Sequence, residues 1–92
     1  MNKTLHLMVE GRVQGVGYRQ WFAGEARALG LAGWVRNRAS GCVEAIVTGP
    51  EEAIDRLLTA AHRGPRLAAV SRIEAREASE ENFSDFSIRA TQ

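Results

Sequence analysis

The apolar residues of this chain change their spacing from every second position to every third or fourth and back, twice over, within 92 residues. Few folds accommodate that alternation. Leu5, Leu7 and Val9 alternate with His6, Met8 and Glu10, the period of a strand with one face on a core. From Tyr18 the spacing widens, so that Tyr18, Trp21, Phe22, Ala26 and Leu29 lie along one helical stripe, which Gly30 is suited to end. Residues 33–39 and 42–49 read as two short strands joined by a tight hairpin at Ser40 and Gly41, with Val43, Ala45 and Val47 forming the apolar face of the second. A second helix follows, with Pro50 in its first turn and Glu51 and Glu52 at the positive end of its dipole. Its buried stripe is Ala53, Ile54, Leu57, Leu58 and Ala61, and Pro65 breaks it. A strand resumes near Val70 with Ile73 and Ala75 facing inward. An acidic turn over 78–82 then leads to a terminal strand bearing Phe83, Phe86 and Ile88.

The order is strand, helix, strand, strand, helix, strand, with a terminal strand added. Two split βαβ units with right-handed crossovers fold into an α+β, ferredoxin-like sandwich, an antiparallel sheet with both helices on one face. The length predicts one domain over residues 1–92. Because this plan hosts many functions, function has to be argued from particular side chains.

Bulk properties remove several classes. Twelve Lys and Arg against 11 Asp and Glu give a formal charge of +1, which makes no broad electrostatic case for a nucleic-acid or membrane partner. A hydrophobic fraction of 45% with 25% charged residues is that of an ordinary globular protein. Neither a secretory pattern nor a run of about 20 apolar residues is present, so a cytoplasmic protein is expected. The single cysteine, Cys42, cannot form an intramolecular disulfide, and with His6 and His62 scattered elsewhere there is no metal-ligand spacing. No metal and no cofactor is expected.

The chemistry concentrates in GRVQGVGYRQW, Gly11–Trp21. Glycines 11, 15 and 17 allow backbone angles closed to other residues, so successive amide hydrogens can converge on one point. Such a nest opening into a helix N-terminus is a physically sufficient site for a phosphate or carboxylate. A turn is the commoner use of so many glycines. Arg19, directly after the turn, favours the anion, because its guanidinium can grip two phosphate oxygens at once. The loop is neither a Walker motif, since no Gly-Lys closes it, nor a dinucleotide fingerprint, since Gln20 stands where the third glycine would fall. Asn37, between Arg36 and Arg38, is a second polar feature: it either starts the hairpin or reaches the anion loop from the neighbouring strand.

GRVQGVGYR, then ALGLAGWVRN and SGCVEAIVTG, followed by GPEEAIDRLL, RGPRLAAV and FSDFSIR, resemble the acylphosphatase family over nearly the whole chain. The resemblance implies hydrolysis of the carboxyl phosphate bond of acyl phosphates to a carboxylate and inorganic phosphate. It assigns phosphate binding to Arg19 and positioning of the attacking water to Asn37. The backbone amides of Val13, Gln14, Gly15, Val16, Gly17 and Tyr18 would complete the cradle. Ser40 stands where the family often has aspartate, and Cys42 where many members have a small polar residue. The partners expected are a small acyl phosphate and inorganic phosphate, with no nucleic acid, no membrane and a monomeric state.

Two rival functions share the architecture. A regulatory anion-binding module would use the same cradle but has no need of a water-positioning amide at Asn37. An RNA-recognition module would stack bases on its sheet, and CVEAIVTG lacks the aromatics for it. The remaining residues read as structural. His6 and His62 are expected to face solvent, and Cys42 to be a small packing residue. Trp21 and Phe22 belong in the core, and Trp34 is expected to be partly exposed or packed on a loop. Arg12, Arg36 and Arg38 are candidates for added positive potential at the mouth of the site.

Overall fold

A computed structural model describes residues 1–79 and 82–92. Its elements are β1 (Asn2–Arg12), α1 (Tyr18–Ala28), β2 (Ala32–Asn37), β3 (Val43–Pro50), α2 (Glu51–Arg63), β4 (Ala69–Glu77) and β5 (Phe86–Ile88). The five strands form one sheet in the order β4-β1-β3-β2-β5. The first four pair antiparallel, as the split βαβ plan requires. The terminal strand departs from expectation. It is only three residues long and runs parallel to β2, Gly33 opposite Phe86 and Val35 opposite Ile88.

One apolar cluster holds the layers together. Leu5, Leu7 and Val9 meet Val43, Ala45 and Val47 of β3, and Val35 of β2, on the face that Phe22, Ala23, Ala26, Ile54, Leu57 and Ala61 of the helices cover. Phe22 and Leu57 are wholly removed from solvent, each contributing roughly 1.5–3 kcal/mol by burial. Trp21 is only partly buried at the cluster's edge. Among the described residues, no helix is long and apolar enough to cross a membrane.

Helix ends follow from local chemistry. At the end of α1, the amide of Leu31 donates to Ala26 O (2.9 Å) and that of Gly30 to Arg27 O (3.0 Å), the paired bonds of a Schellman stop. Pro50 sits one residue earlier than expected. It closes β3 as the N-cap of α2, in extended geometry (φ −59°, ψ 138°), because its missing N–H is dispensable there. The expected tight hairpin is a longer turn, with the amide of Arg38 bonded to Cys42 O at 2.8 Å and that of Gly41 to Arg38 O at 3.0 Å.

Three smaller expectations need adjusting, in facing, extent and exposure. Ala75 pairs with Leu7 yet is exposed, since β4 is an edge strand. Phe83 precedes β5 rather than lying in it. Trp34 points away from the core as expected, but is only 8% exposed. The guanidinium carbons of Arg36 and Arg89 lie 4.6 and 4.9 Å from its ring centre, and these side chains cover it. Of the expected acidic turn, residues 80 and 81 lie outside the described residues.

Candidate active site at the start of the first helix

The segment between β1 and α1 begins later than the glycine pattern suggests. Gly11 and Arg12 belong to β1, opposite Val70 and Ala69, at a register shift that starts after Glu10. Gly11 is there for close approach, because a Cβ would stand 2.3 Å from Ala69 O. The glycines of the loop itself are therefore Gly15 (φ 73°) and Gly17 (φ 76°, ψ 19°), both left-handed and both with open space where a side chain would begin.

Gly17 is the N-cap of α1 and makes no side-chain cap. The first amide to bond back is that of Trp21, to Gly17 O at 3.1 Å. Among the described residues, the amide hydrogens of Gln14, Gly15, Val16, Gly17, Tyr18, Arg19 and Gln20 meet no protein acceptor. No acidic residue occupies the first turn to use the dipole. Unsatisfied donors at the positive end of a helix favour an anion. Arg19 extends from that first turn, half-buried, and forms no ion pair among the described residues.

Two anchors hold this end of α1. Val13 is 1% exposed in the core. The Tyr18 hydroxyl donates to Ala61 O at 2.8 Å, and burial pushes this phenol well above its ordinary range. Ala61 lies in the last turn of α2, whose carbonyls lack helical partners. Tyr18 was legible as an apolar residue. The need of a buried phenol for an acceptor was the signal for its second role.

Asn37 ends β2 opposite Val43, which also pairs with Val9, so the three positions form a row across the inner face next to where β1 enters the glycine loop. The main chain of Asn37 is fixed by the amide of Gln92, which donates to its carbonyl at 3.1 Å. Its side-chain Oδ1 is shut off from solvent and meets no donor among the described residues. Leaving such an acceptor unpaired costs about 1–3 kcal/mol. The carboxamide keeps nearly the same shape when its oxygen and nitrogen exchange places, so a half-turn exchanges their environments.

The flanking arginines turn the other way. Arg36 Nε donates to Glu44 Oε1 at 2.7 Å and Arg38 Nη1 to the same oxygen at 3.4 Å, while His6 Nε2 lies 2.6 Å from Glu44 Oε2. Met8, Glu44 and Arg36 share the outer face of the sheet, opposite the core. Burial alone would raise the Glu44 carboxyl. The hydrogen bonds and charges of His6 and Arg36 more than offset it and hold that carboxyl below the usual range. Arg36 and Arg38 thus neutralise a buried carboxylate rather than line the mouth, and His6 is engaged by Glu44 rather than free in solvent. Arg12 is exposed on β1, Cys42 is half-buried and His62 lies exposed in the last turn of α2. Among the described residues no group of His, Cys, Asp and Glu could hold a metal ion.

Residues 5–88 match the family model described as Acylphosphatase. An acylphosphatase of Azorhizobium caulinodans is 57% identical over 74 residues, covering 80% of this chain and 80% of the relative. One of Thiobacillus denitrificans is 50% identical over 88 residues, covering 96% and 98%. The crystal structure of acylphosphatase from Bacillus subtilis is similar with a TM-score of 0.92 at 40% identity, covering 97% of this chain and 99% of that one. Matched over most of its length in sequence and in fold, the chain belongs to the acylphosphatase family, hydrolases that act on acyl phosphates.

Proposed function

We propose that this protein hydrolyses the carboxyl phosphate bond of acyl phosphates without a metal, with the phosphoryl group held at the start of α1. The observation that carries this is the row of unsatisfied amides from Gln14 to Gln20, on left-handed glycines and a helix N-terminus, with Asn37 at the adjoining strand end. The cradle amides of Val13 to Tyr18 and the Arg19 guanidinium bind the phosphoryl oxygens and offset their charge. The leaving group of an acyl phosphate is a carboxylate, a weak base, so the departing oxygen needs little protonation and a general acid is dispensable. What remains is to align water opposite the breaking P–O bond.

Asn37 takes that part. Its carboxamide does not ionise usefully and is no general base, but its oxygen accepts a hydrogen from water and orients it. A half-turn of the side chain brings the oxygen outwards to the water and relieves its unpaired state. The water oxygen attacks phosphorus as the P–O bond to the acyl group breaks. Its proton passes to the substrate phosphate, giving inorganic phosphate and the free carboxylate.

The test is hydrolysis of a simple acyl phosphate beside a phosphate monoester, in the presence of a chelator, by wild type, Arg19→Ala and Asn37→Ala. Turnover of the acyl phosphate by wild type alone supports the assignment. Phosphate binding without turnover of either substrate would instead make the protein an anion-binding module.

A further inference from the structure

Gln14 contributes more than a backbone amide to the cradle. Its side-chain Nε2 donates at 2.8 Å to the carbonyl oxygen of Arg38 and at 2.8 Å to that of Cys42. Both hydrogens of one amide are thereby spent on the two ends of the turn that follows Asn37. That turn is closed by its own bond from Arg38 N to Cys42 O, so the carboxamide grips a preformed unit. Among the side-chain hydrogen bonds of the described residues, these are the ones that join the segment 13–17 to the β2–β3 turn.

The two parts need such a tie. The cradle has two left-handed glycines with open space around them, and its amides make no internal bonds. Asn37, by contrast, is fixed by its pairing with Val43 and by the bond from Gln92. The β1–β3–β2 ladder brings the end of β1 beside Asn37, but past Arg12 no backbone hydrogen bond among the described residues ties the glycine segment to that strand end. A misplacement of about 1 Å between reacting groups is worth roughly 10²-fold in rate.

We infer that Gln14 is a positioning residue: its carboxamide sets the cradle at the distance from Asn37 that puts the held water in line with the held phosphoryl group. This rests on the roles proposed above for the cradle and Asn37. Gln14 touches no reacting atom through its side chain, and its effect is transmitted through the turn.

The experiment is a double-mutant cycle of Gln14→Met, which keeps length and loses both donors, with Asn37→Ala. Readouts are kcat, inhibition by inorganic phosphate and the thermal midpoint. Gln14→Met is expected to lower kcat by roughly 10- to 100-fold while changing phosphate inhibition less than about threefold. In the Asn37→Ala background it should lower kcat less than about threefold, because the water it helps to place is already lost. An equal fall in both backgrounds, or a folded Gln14→Met with wild-type kcat, would overturn the inference. Should Gln14→Met fail to fold, Gln14→Glu decides by the same cycle, since an ionised carboxylate offers the two carbonyls no hydrogen. Normal turnover by Asn37→Ala alone would overturn the role of Asn37 instead, and the two failures are thus distinct.

Discussion

The Tyr18 hydroxyl and the Ala61 carbonyl meet at 2.8 Å inside the protein, joining the first residue of α1 to the last turn of α2. Tyr18→Phe removes the donor and leaves a buried carbonyl unpaired, so a loss of about 1–2 kcal/mol is expected in urea unfolding. The phenol adds a pH dependence. Burial holds its folded ionisation above the ordinary range, so the unfolded chain gives up the proton first, near pH ~10. Stability should therefore fall as pH rises beyond that point, at up to roughly 1.4 kcal/mol per pH unit from this group. Tyr18→Phe should lack that component.

Glu44 gives the opposite slope. Its carboxyl titrates below the ordinary value in the folded protein, so the stabilisation is present above the unfolded value of ~4.3 and is lost as pH falls through the folded one. Glu44→Gln is expected to cost about 2 kcal/mol near neutral pH, the worth of hydrogen bonds to a charged group. Unfolding measured at neutral and at acid pH checks this, because the gap to wild type should close in acid. An undiminished gap would mean that packing, not charge, makes the difference.

Periodicity made the layers legible. Leu5, Leu7 and Val9 against Phe22, Ile54 and Leu57 follow directly from spacing, and the core contains them all. What spacing could not tell was which polar groups pair across long separations in sequence. His6 looked free because its partner Glu44 is on another strand, and Trp34, expected to be partly exposed or packed on a loop, is covered by Arg36 of its own strand and by Arg89 from far along the chain. At the site, the turn singled out Arg19 and the polar break in the strand singled out Asn37, and the resemblance gave each a role, while Arg36 and Arg38, expected at the mouth, turn instead to Glu44 on the next strand. The grip of Gln14 on the turn was invisible, since a glutamine in a glycine-rich loop carries no period.

Arg19 carries the largest expected effect on rate. It is the cation of the first turn and has no carboxylate partner among the described residues, so its charge is available to an anion. Arg19→Ala should lower kcat/KM by about 10³- to 10⁵-fold, or 4–7 kcal/mol, as arginines do in phosphoryl transfer. Inhibition by inorganic phosphate should weaken in parallel. Near-normal turnover would remove Arg19 from the mechanism.

Asn37→Ala separates water from phosphate. The residue proposed to orient water contributes to the transition state and little to ground-state phosphate binding. A fall in kcat of at least roughly 10²-fold is expected, with phosphate inhibition close to wild type. Its Oδ1 meets no donor among the described residues, so losing the carboxamide should change stability by less than about 1 kcal/mol. Phosphate inhibition weakened tenfold with normal kcat would exchange the roles of cradle and strand end.

Two glycines with positive φ should respond differently to alanine, one mainly in phosphate binding and the other in the fold. At Gly17, φ is 76° and nothing lies within 4 Å of the added carbon. The cost there is conformational, about 1–2 kcal/mol, but the methyl occupies space beside the free amides and should weaken phosphate inhibition. At Gly33, φ is 135° and the added carbon would stand 1.9 Å from Ile46 O in the neighbouring strand. Backbone atoms in a paired ladder cannot withdraw, so Gly33→Ala should cost more than about 4 kcal/mol or prevent folding. A thermal melt and a phosphate inhibition curve for each decide the matter. If Gly17→Ala were as damaging to the fold as Gly33→Ala, or left phosphate inhibition unchanged, the open space at the start of α1 would not be the anion site.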